Sequence, residues 1–268
     1  MSQKTNELII PPYPTSEPAR SFTVNDVSYI ERDLMQAQNA ANPGRALSWN
    51  AYDQDVQNIV SDFNNYLRTT PGYVSLDWRL IKAMLWVETG PYAERNLWYS
   101  KPMQSANHHD LGWPEMMRSG NRDRMHLIVP PNLRGAVASP NLTPRDNIVA
   151  GVAYLLYSAA ETGPKTVIDK QDVKTVTVAR GDSLYLIARQ VGTTEPVLKD
   201  MNSRMTLFPL QPGMKLTYSP AKTIVSILGW RPINPQSTYR LYNGHPGTDY
   251  GNKVQFLYDL IKQNRVLH

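Results

Sequence analysis

The residue whose surroundings most favour acid–base chemistry is Glu88. It lies near the end of residues 76–90, an almost entirely apolar run that predicts a helix passing through a core. Three apolar residues precede it on the same helix face: Ile81, Met84 and Leu85. Burial beside apolar side chains disfavours a charged carboxylate, so we expect Glu88 to carry a proton near neutral pH and to serve as general acid and then base. An exposed glutamate at a helix end is the alternative.

Helices before and after this segment are predicted to hold it in place. Apolar residues recur every three to four positions up to a break at Pro71 and Gly72, which predicts one buried helix face. These residues are Val56, Ile59, Val60, Phe63 and Leu67. Residues 91–140 are rich in glycine, proline and polar residues, and they predict mainly loops.

A further helix is predicted to begin at Thr143, an N-cap residue, with Pro144 and Asp146 at the first and third helical positions. Its apolar stripe contains Ile148, Val152 and Leu155, and we expect Gly163 and Pro164 to close the segment. A last helix near the C-terminus is predicted by a second stripe, which consists of Val254, Leu257, Tyr258 and Ile261.

Residues 174–218 differ from the helical segments on either side. Residues 175–178 and 214–218 predict two short strands, and residues 184–188 and 196–201 predict two helices between them. In the first helix Leu184, Ile187 and Ala188 should face inward. Strand, helix, helix and strand in so short a stretch indicate a compact module.

Composition excludes several classes of site. The chain has no cysteine, which rules out disulfides, thiolate metal sites and cysteine nucleophiles. A net charge of +5 suits a polyanionic partner, but there is no dense Lys/Arg run of the kind that binds nucleic acid. No apolar stretch approaches the roughly 18 residues of a membrane span. The proline-rich first twenty or so residues predict an extended linker, with a docking tail as the alternative.

The compact module resembles a LysM domain. The matching residues are Val176, Thr177, Val178, Gly181, Asp182, Ser183, Leu184, Ile187, Ala188, Leu198, Asn202 and residues 210–216. The resemblance implies binding of glycans that contain N-acetylglucosamine, such as peptidoglycan and chitin, in a shallow groove between two loops. The implied groove residues are Gly181, Asp182, Ser183 and Leu184 on one side, and Phe208, Pro209 and Leu210 on the other.

The segment at residues 76–160 resembles soluble lytic transglycosylases of the goose-type lysozyme-like superfamily. Three stretches carry this resemblance: residues 83–90 (AMLWVETG), 101–104 (KPMQ) and 147–155 (NIVAGVAYL). A fourth lies beyond the module and comprises residues 239–244 (YRLYNG), Tyr250, Lys253, Val254 and Tyr258. Two departures are Thr89 in place of the usual serine, and residues 105–110 in place of a short glycine-rich stretch.

Together the two resemblances imply an α+β fold with a discontinuous domain. A mainly α-helical lysozyme-like domain would comprise residues 46–170 and 223–268, with a βααβ LysM module at 171–222 inserted into it. An extended N-terminal segment would occupy residues 1–45.

The second resemblance also implies roles for individual residues. Glu88 would be the catalytic acid and base, and Thr89 would orient it. The implied substrate-binding residues are Thr89, Met103, Gln104, Tyr154, Tyr242 and Asn243. The family uses no second carboxylate, because the sugar's own 6-hydroxyl closes a 1,6-anhydro ring. Hydrolytic relatives hold a water with a second acid, for which Asp110 is the nearest candidate.

No cofactor or metal is expected. His108, His109 and Asp110 lie side by side without the helical spacing of a typical metal site, so a solvated loop is the preferred interpretation.

The expected function is cleavage of the β-1,4 MurNAc–GlcNAc bond of peptidoglycan, with LysM anchoring the enzyme to the glycan strand. A hydrolytic muramidase, a non-catalytic LysM wall-binding protein and a chitinase-type enzyme remain as alternatives. The order of parts also resembles bacterial proteins of contact-dependent secretion systems, which implies a secretion-system component or a cognate inhibitor as partner. Because residues 1–7 do not begin a secretory signal, we expect synthesis in the cytoplasm and action in the periplasm after specialised export.

Overall fold

The computed structural model describes residues 50–89, 95–105, 112–138, 143–205, 207–244 and 249–263, and the predicted extended segment at 1–45 lies outside them. The helices are Asp53–Leu67 (α1), Trp78–Thr89 (α2), Arg95–Ser100 (α3), Gly112–Met117 (α4), Arg122–Ile128 (α5), Arg134–Ala138 (α6), Pro144–Ala159 (α7), Leu184–Val191 (α8), Glu195–Met201 (α9) and Tyr250–Lys262 (α10). The strands are Ala160–Ile168 (β1), Lys174–Thr177 (β2), Lys215–Tyr218 (β3) and Ala221–Trp230 (β4). Helices combined with small antiparallel sheets confirm the α+β class.

The first two helices form as their apolar patterns predict. Every residue of the predicted α1 stripe is buried, and the chain turns at Gly72, which has a positive φ of 72°. The α2 helix begins after Asp77, whose carboxylate accepts a hydrogen bond of 2.9 Å from the backbone N–H of Arg79. It is buried along most of its length, so Glu88 lies at the end of a helix that passes through the core.

The prediction of mainly loops for residues 91–140 is wrong for the described part of this segment. Four short helices of five to seven residues (α3 to α6) lie there, together with two 3₁₀ turns of three residues each. Each helix buries only one or two apolar side chains, such as Trp98, Met116 and Val137. So few buried positions leave no recognisable helical period in the sequence, because tertiary packing provides the stability.

The α7 helix begins with the predicted capping box, since Thr143 and Asp146 each accept a hydrogen bond from the other's backbone N–H. The expectation that Gly163 and Pro164 close the segment is wrong, because both lie inside strand β1. A Cβ on Gly163 would lie 2.7 Å from the Leu228 side chain, so glycine makes room for a cross-strand neighbour. Pro164 is tolerated because, among the strands that the structure describes, only β4 pairs with β1, which leaves its other edge open.

Strands β1 and β4 form an antiparallel two-stranded ribbon, from Ala160 opposite Trp230 to Ile168 opposite Ala221. The register shifts once, between Glu161 and Thr162. The small βααβ module made by β2, α8, α9 and β3 lies between the two ribbon strands in the chain, and among the described strands β2 pairs only with β3. The ribbon therefore joins this module to the helices.

The buried residues of the described chain form two separate cores. The helical core contains buried side chains from Val56 to Ala160 and again from Ile227 to Ile261. The module core consists of Val178, Leu184, Ile187, Ala188, Leu198, Leu207 and Leu216. Residues on both sides of the module in the sequence therefore contribute to one core, in which α10 packs along α2.

Ending the chain after Lys222 is expected to leave the helices unfolded. The helical core would lose Ile227, Val254 and Leu257, each about 2–5 kcal/mol in a core, against a total stability of about 5–15 kcal/mol. Circular dichroism during heating should show no cooperative transition.

The matched variant keeps the ribbon and removes only the module. Asp169 already donates a backbone hydrogen bond of 2.8 Å to the Pro220 carbonyl, so an Asn-Gly turn can join these two residues as a hairpin. We expect this variant to melt cooperatively. A shortened chain that also melts cooperatively would show that the C-terminal segment is a separate appendage.

Candidate functional site

Glu88 is held at the end of α2 by a buried phenol. The hydroxyl of Tyr250, the first residue of α10, donates a hydrogen bond of 2.6 Å to Oε1 of Glu88. Tyr250 is buried, whereas Glu88 is partly exposed, so the burial expected for Glu88 among apolar side chains is only partial. Burial raises the pKa of Tyr250 well above its ordinary value, and the nearby Glu88 carboxyl and Tyr242 raise it further. The phenol therefore keeps its proton and remains the donor of this hydrogen bond to the Glu88 carboxyl group over the whole physiological range of pH.

A tight turn at residues 101–105 packs against the same helix end. Gln104 has a positive φ of 53°, which is uncommon for a residue with a side chain. Its side-chain amide donates a hydrogen bond to the backbone carbonyl of Glu88. The hydroxyl of Thr89 donates in the other direction, over 2.6 Å to the carbonyl of Pro102. These two bonds tie the turn to the end of α2.

Asn147, in the first part of α7, holds the turn from its other side. Its Oδ1 accepts a hydrogen bond of 2.8 Å from the backbone N–H of Met103, and its Nδ2 donates one of 2.7 Å to the carbonyl of Ser105. The side chain is fully buried. One amide thus satisfies two backbone groups that flank Gln104, and it fixes that residue in its left-handed conformation.

Tyr242 and Asn243 come from a π-helical turn at Tyr239–Asn243, which follows the ribbon. The Tyr242 hydroxyl donates to the carbonyl of Met103, and its ring makes an edge-to-face contact of 5.8 Å with Tyr154 of α7. The Asn243 Oδ1 atom is shielded from solvent and has no hydrogen-bond partner among the residues that the structure describes. The side chain as a whole is partly exposed, so a ligand can contact Asn243 although this atom is shielded.

Two of the predicted substrate-binding residues need correction. Thr89 and Met103 are both fully buried, so neither side chain can touch a substrate in this conformation. Thr89 was expected to orient Glu88, but its hydroxyl binds Pro102 instead. Met103 packs against Gly151 of α7, where a Cβ would come within 2.8 Å of it. Both residues support the turn rather than line a cleft.

Asn147 and Tyr250 have site roles that the sequence predictions did not assign. Asn147 had a detectable signal, since a polar residue within the apolar run of α7 must find hydrogen-bond partners if it is buried. Tyr250 belongs to the stretch that resembles the lytic transglycosylases, but its contact with Glu88 depends on the packing of α10 against α2. Gln104, Tyr154, Tyr242 and Asn243 are all partly exposed around this site, whereas Asp110 lies outside the described residues.

The βααβ module brings the predicted groove loops onto one small core. Gly181 has a φ of 90°, Asp182 accepts a hydrogen bond of 2.7 Å from the backbone N–H of Ala179, and Ser183 caps α8 through the N–H of Leu186. Leu184 is buried in the module core, so its predicted contact with a glycan can involve only its backbone. Leu210, from the other loop, packs partly against the same core.

The second loop presents an aromatic side chain to solvent. Phe208 is 70% exposed, and Pro209 beside it is also exposed. The ammonium group of Lys199 lies 5.9 Å from the centre of the Phe208 ring. Exposed aromatic rings are suited to stacking against the apolar face of a sugar.

Residues 176–218 match the LysM domain family. LysM domains are peptidoglycan-binding modules, so this part of the chain is a glycan-binding module. No curated protein and no solved structure matches the chain. Within the described ranges, no three acidic or histidine side chains group together as potential metal ligands. Among the helices of those ranges, none is both long and apolar enough to cross a membrane.

Replacing Asn147 with leucine is expected to lower the free energy of unfolding by about 2–4 kcal/mol, because the Met103 N–H and the Ser105 carbonyl would both lose their partner in a buried place. Urea unfolding monitored by tryptophan fluorescence measures the change. Asn132→Leu is the control, since its amide makes only an exposed contact with Asp62, and it should cost less than about 0.5 kcal/mol. If the two variants lost the same free energy of unfolding, Asn147 would not be the residue that supports the turn.

Gly151→Ala is expected to destabilise the protein by about 1–3 kcal/mol, because the added methyl group overlaps the Met103 side chain. Gly135→Ala supplies the matched control: it lies in α6 with no atom within 4 Å of its added Cβ. Alanine should there be neutral or stabilise by up to about 1 kcal/mol. Thermal unfolding of both variants gives the comparison. A Gly151→Ala protein as stable as the parent would mean that the turn can move away from α7.

Proposed function

We propose that the protein cleaves peptidoglycan glycan strands, with Glu88 as the catalytic residue and the LysM module holding the strand. The observation that carries this proposal is the hydrogen bond from the neutral phenol of Tyr250 to the Glu88 carboxyl, at a partly exposed helix end beside Gln104 and Asn243. A positioned carboxyl group beside hydrogen-bonding side chains is what general acid–base cleavage of a glycosidic bond requires.

The chemistry needs one carboxyl group. In the first step Glu88 gives its proton to the glycosidic oxygen O4 while the C1–O4 bond of MurNAc breaks. In the second step the Glu88 carboxylate takes the proton of the same MurNAc residue's 6-hydroxyl, and O6 bonds to C1. The products are a 1,6-anhydro end and a free 4-hydroxyl, the carboxyl group is regenerated, and no water is consumed.

The surrounding residues have separate tasks in this proposal. The Tyr250 phenol orients the Glu88 carboxyl through Oε1. The partly exposed side chain of Asn243 hydrogen-bonds a sugar hydroxyl or acetamido group. The paired rings of Tyr154 and Tyr242 form an apolar wall next to the turn that carries Gln104. Productive geometry of this kind accounts for a large part of enzymatic rate acceleration.

Two other functions remain as proposals. A muramidase of the same site would add water to C1 in the second step, so its product has a reducing end and is heavier by one water. A wall-binding protein without activity is favoured by one observation, since the LysM module is the part of the chain that matches a known family. In each case we place the action in the periplasm after export by a specialised secretion system, with a secretion component or inhibitor as partner.

Glu88→Gln is expected to abolish release of muropeptides from purified sacculi, because the amide has no acidic proton to give. Loss of general acid catalysis costs about 10²–10⁴-fold in rate. The variant should still be pulled down by sacculi, since the LysM module is unchanged.

Glu115→Gln is the matched control, because Glu115 is exposed and makes an ion pair with Arg118 on the surface of the helical part. It should retain the parent rate within about twofold. Mass spectrometry of the fragments separates anhydro ends from reducing ends. If the parent protein binds sacculi but releases no fragments, cleavage is ruled out and the wall-binding function is supported.

A further inference from the structure

The β1–β4 ribbon is fixed firmly to the helices at its base. Ala160 and Ile227 are buried in the helical core, and the backbone N–H of Arg231 donates 2.8 Å to the carbonyl of Ala159. The Arg124 guanidinium, stacked 4.0 Å from the Tyr157 ring, donates to the carbonyls of Tyr157 and Ala160. The direction in which the ribbon leaves the helices is therefore set by buried side chains and backbone hydrogen bonds.

The ribbon is equally well joined to the LysM module at its tip. Beyond the last strand pair, Asp169 donates a backbone hydrogen bond of 2.8 Å to Pro220. Ala221 donates one of 3.0 Å to the carbonyl of Gly192, at the end of α8. Ser219, which precedes Pro220 in the chain, is buried. The module is thus held to the ribbon by more than the two covalent connections.

The middle of the ribbon packs against neither core. Lys165, Thr166, Thr223 and Ile224 face each other in two consecutive pairs, and all four are exposed. The buried residues of the helical core and of the module core do not overlap. A strand rises about 3.3 Å per residue, so the nine residues of β1 span roughly 26 Å from the helical core to the end of the ribbon nearest the module.

We propose that the ribbon is a fixed-length spacer that determines which glycosidic bond reaches Glu88 when LysM is bound to the same glycan strand, and so determines fragment length. This inference rests on the proposed function. A stiff connection lets two sites bind one ligand together only where the ligand's spacing matches theirs, whereas a flexible connection allows many spacings. The ligand is a peptidoglycan strand long enough to occupy both sites.

Removing two facing pairs shortens the spacer without altering its pattern. Deletion of residues 165–166 together with 223–224 takes out roughly 7 Å, and the hydrogen-bond ladder and the side-chain alternation continue unchanged because both repeat every two residues. A second variant repeats the same four residues and lengthens the ribbon equally. A third replaces residues 163–167 and 222–226 with glycine and serine. The length-preserving control is Lys165→Arg with Thr166→Val.

The assay digests long glycan strands freed of their peptides and measures the distribution of fragment lengths by chromatography and mass spectrometry. The most abundant fragment should become shorter after deletion, longer after insertion, and unchanged in the control. In the glycine-serine variant no length should exceed its neighbours by more than about twofold. Melting curves and pull-down by sacculi establish that each variant is folded and binds, and the insertion variant remains informative if the deletion variant does not fold.

The outcomes separate the two proposals. If the parent cleaves but the deletion, insertion and glycine-serine variants all give its fragment distribution, the spacer is overturned while the proposed function stands. If the variant in which Asn-Gly replaces the module also gives that distribution, LysM does not select the bond. If the parent releases no fragments, the proposed function fails and the spacer fails with it.

Discussion

The buried amide of Asn147 is the interaction on which the candidate site depends. It holds both backbone groups that flank Gln104, and so it stabilises a left-handed residue whose conformation costs roughly 1–2 kcal/mol. The turn then becomes a common support: the end of α2 binds it through Thr89, and the π-helical turn binds it through Tyr242. Segments that lie far apart in the chain therefore meet on five consecutive residues. If the turn became mobile, the positions of Glu88 and of the Tyr154–Tyr242 ring pair relative to each other would no longer be fixed.

The carboxyl group of Glu88 has a second constraint, which comes from the packing of α10 against α2. Tyr250 contacts Glu88 at one end of this helix pair, and Tyr258 donates 2.9 Å to Asp77 at the other. Burial and Asp77 raise the pKa of Tyr258 to about 12, so both phenols remain donors at physiological pH. The two hydrogen bonds lock the helices against sliding, which keeps the Tyr250 hydroxyl in line with the carboxyl.

Local patterns in the sequence predicted α1, the capped start of α7 and the whole LysM module, because each is specified by neighbours within one or two turns of chain. The same patterns could not predict the ribbon. Gly163 and Pro164 have local preferences for turns, and their places in β1 depend on Leu228 and on an open strand edge. The short helices α3 to α6 were missed for a similar reason, since packing rather than periodicity stabilises them.

The candidate site shows the same division between local and distant signals. The position of Glu88 at the end of an apolar helix follows from the sequence. That Gln104 lies near Glu88 follows from the resemblance to lytic transglycosylases. The burial of Thr89 and Met103 does not follow, because it depends on how the turn packs against Gly151. The partnership of Glu88 with Tyr250 joins residues 162 positions apart, and only a folded chain displays it.

That separation in sequence has a consequence for the order in which the LysM module and the candidate site form. Contacts inside the LysM module are short in range, such as the hydrogen bonds between Asn202 and Thr217, 15 positions apart, and local contacts form quickly. The helical core instead cannot be completed until β4 and α10 have been synthesised, and these are among the last of the described elements to be translated. A growing chain can therefore fold its glycan-binding module while Glu88 still lacks the phenol that orients it. Maturation of the carboxyl site is thus coupled to translation of the segment that contains residue 250.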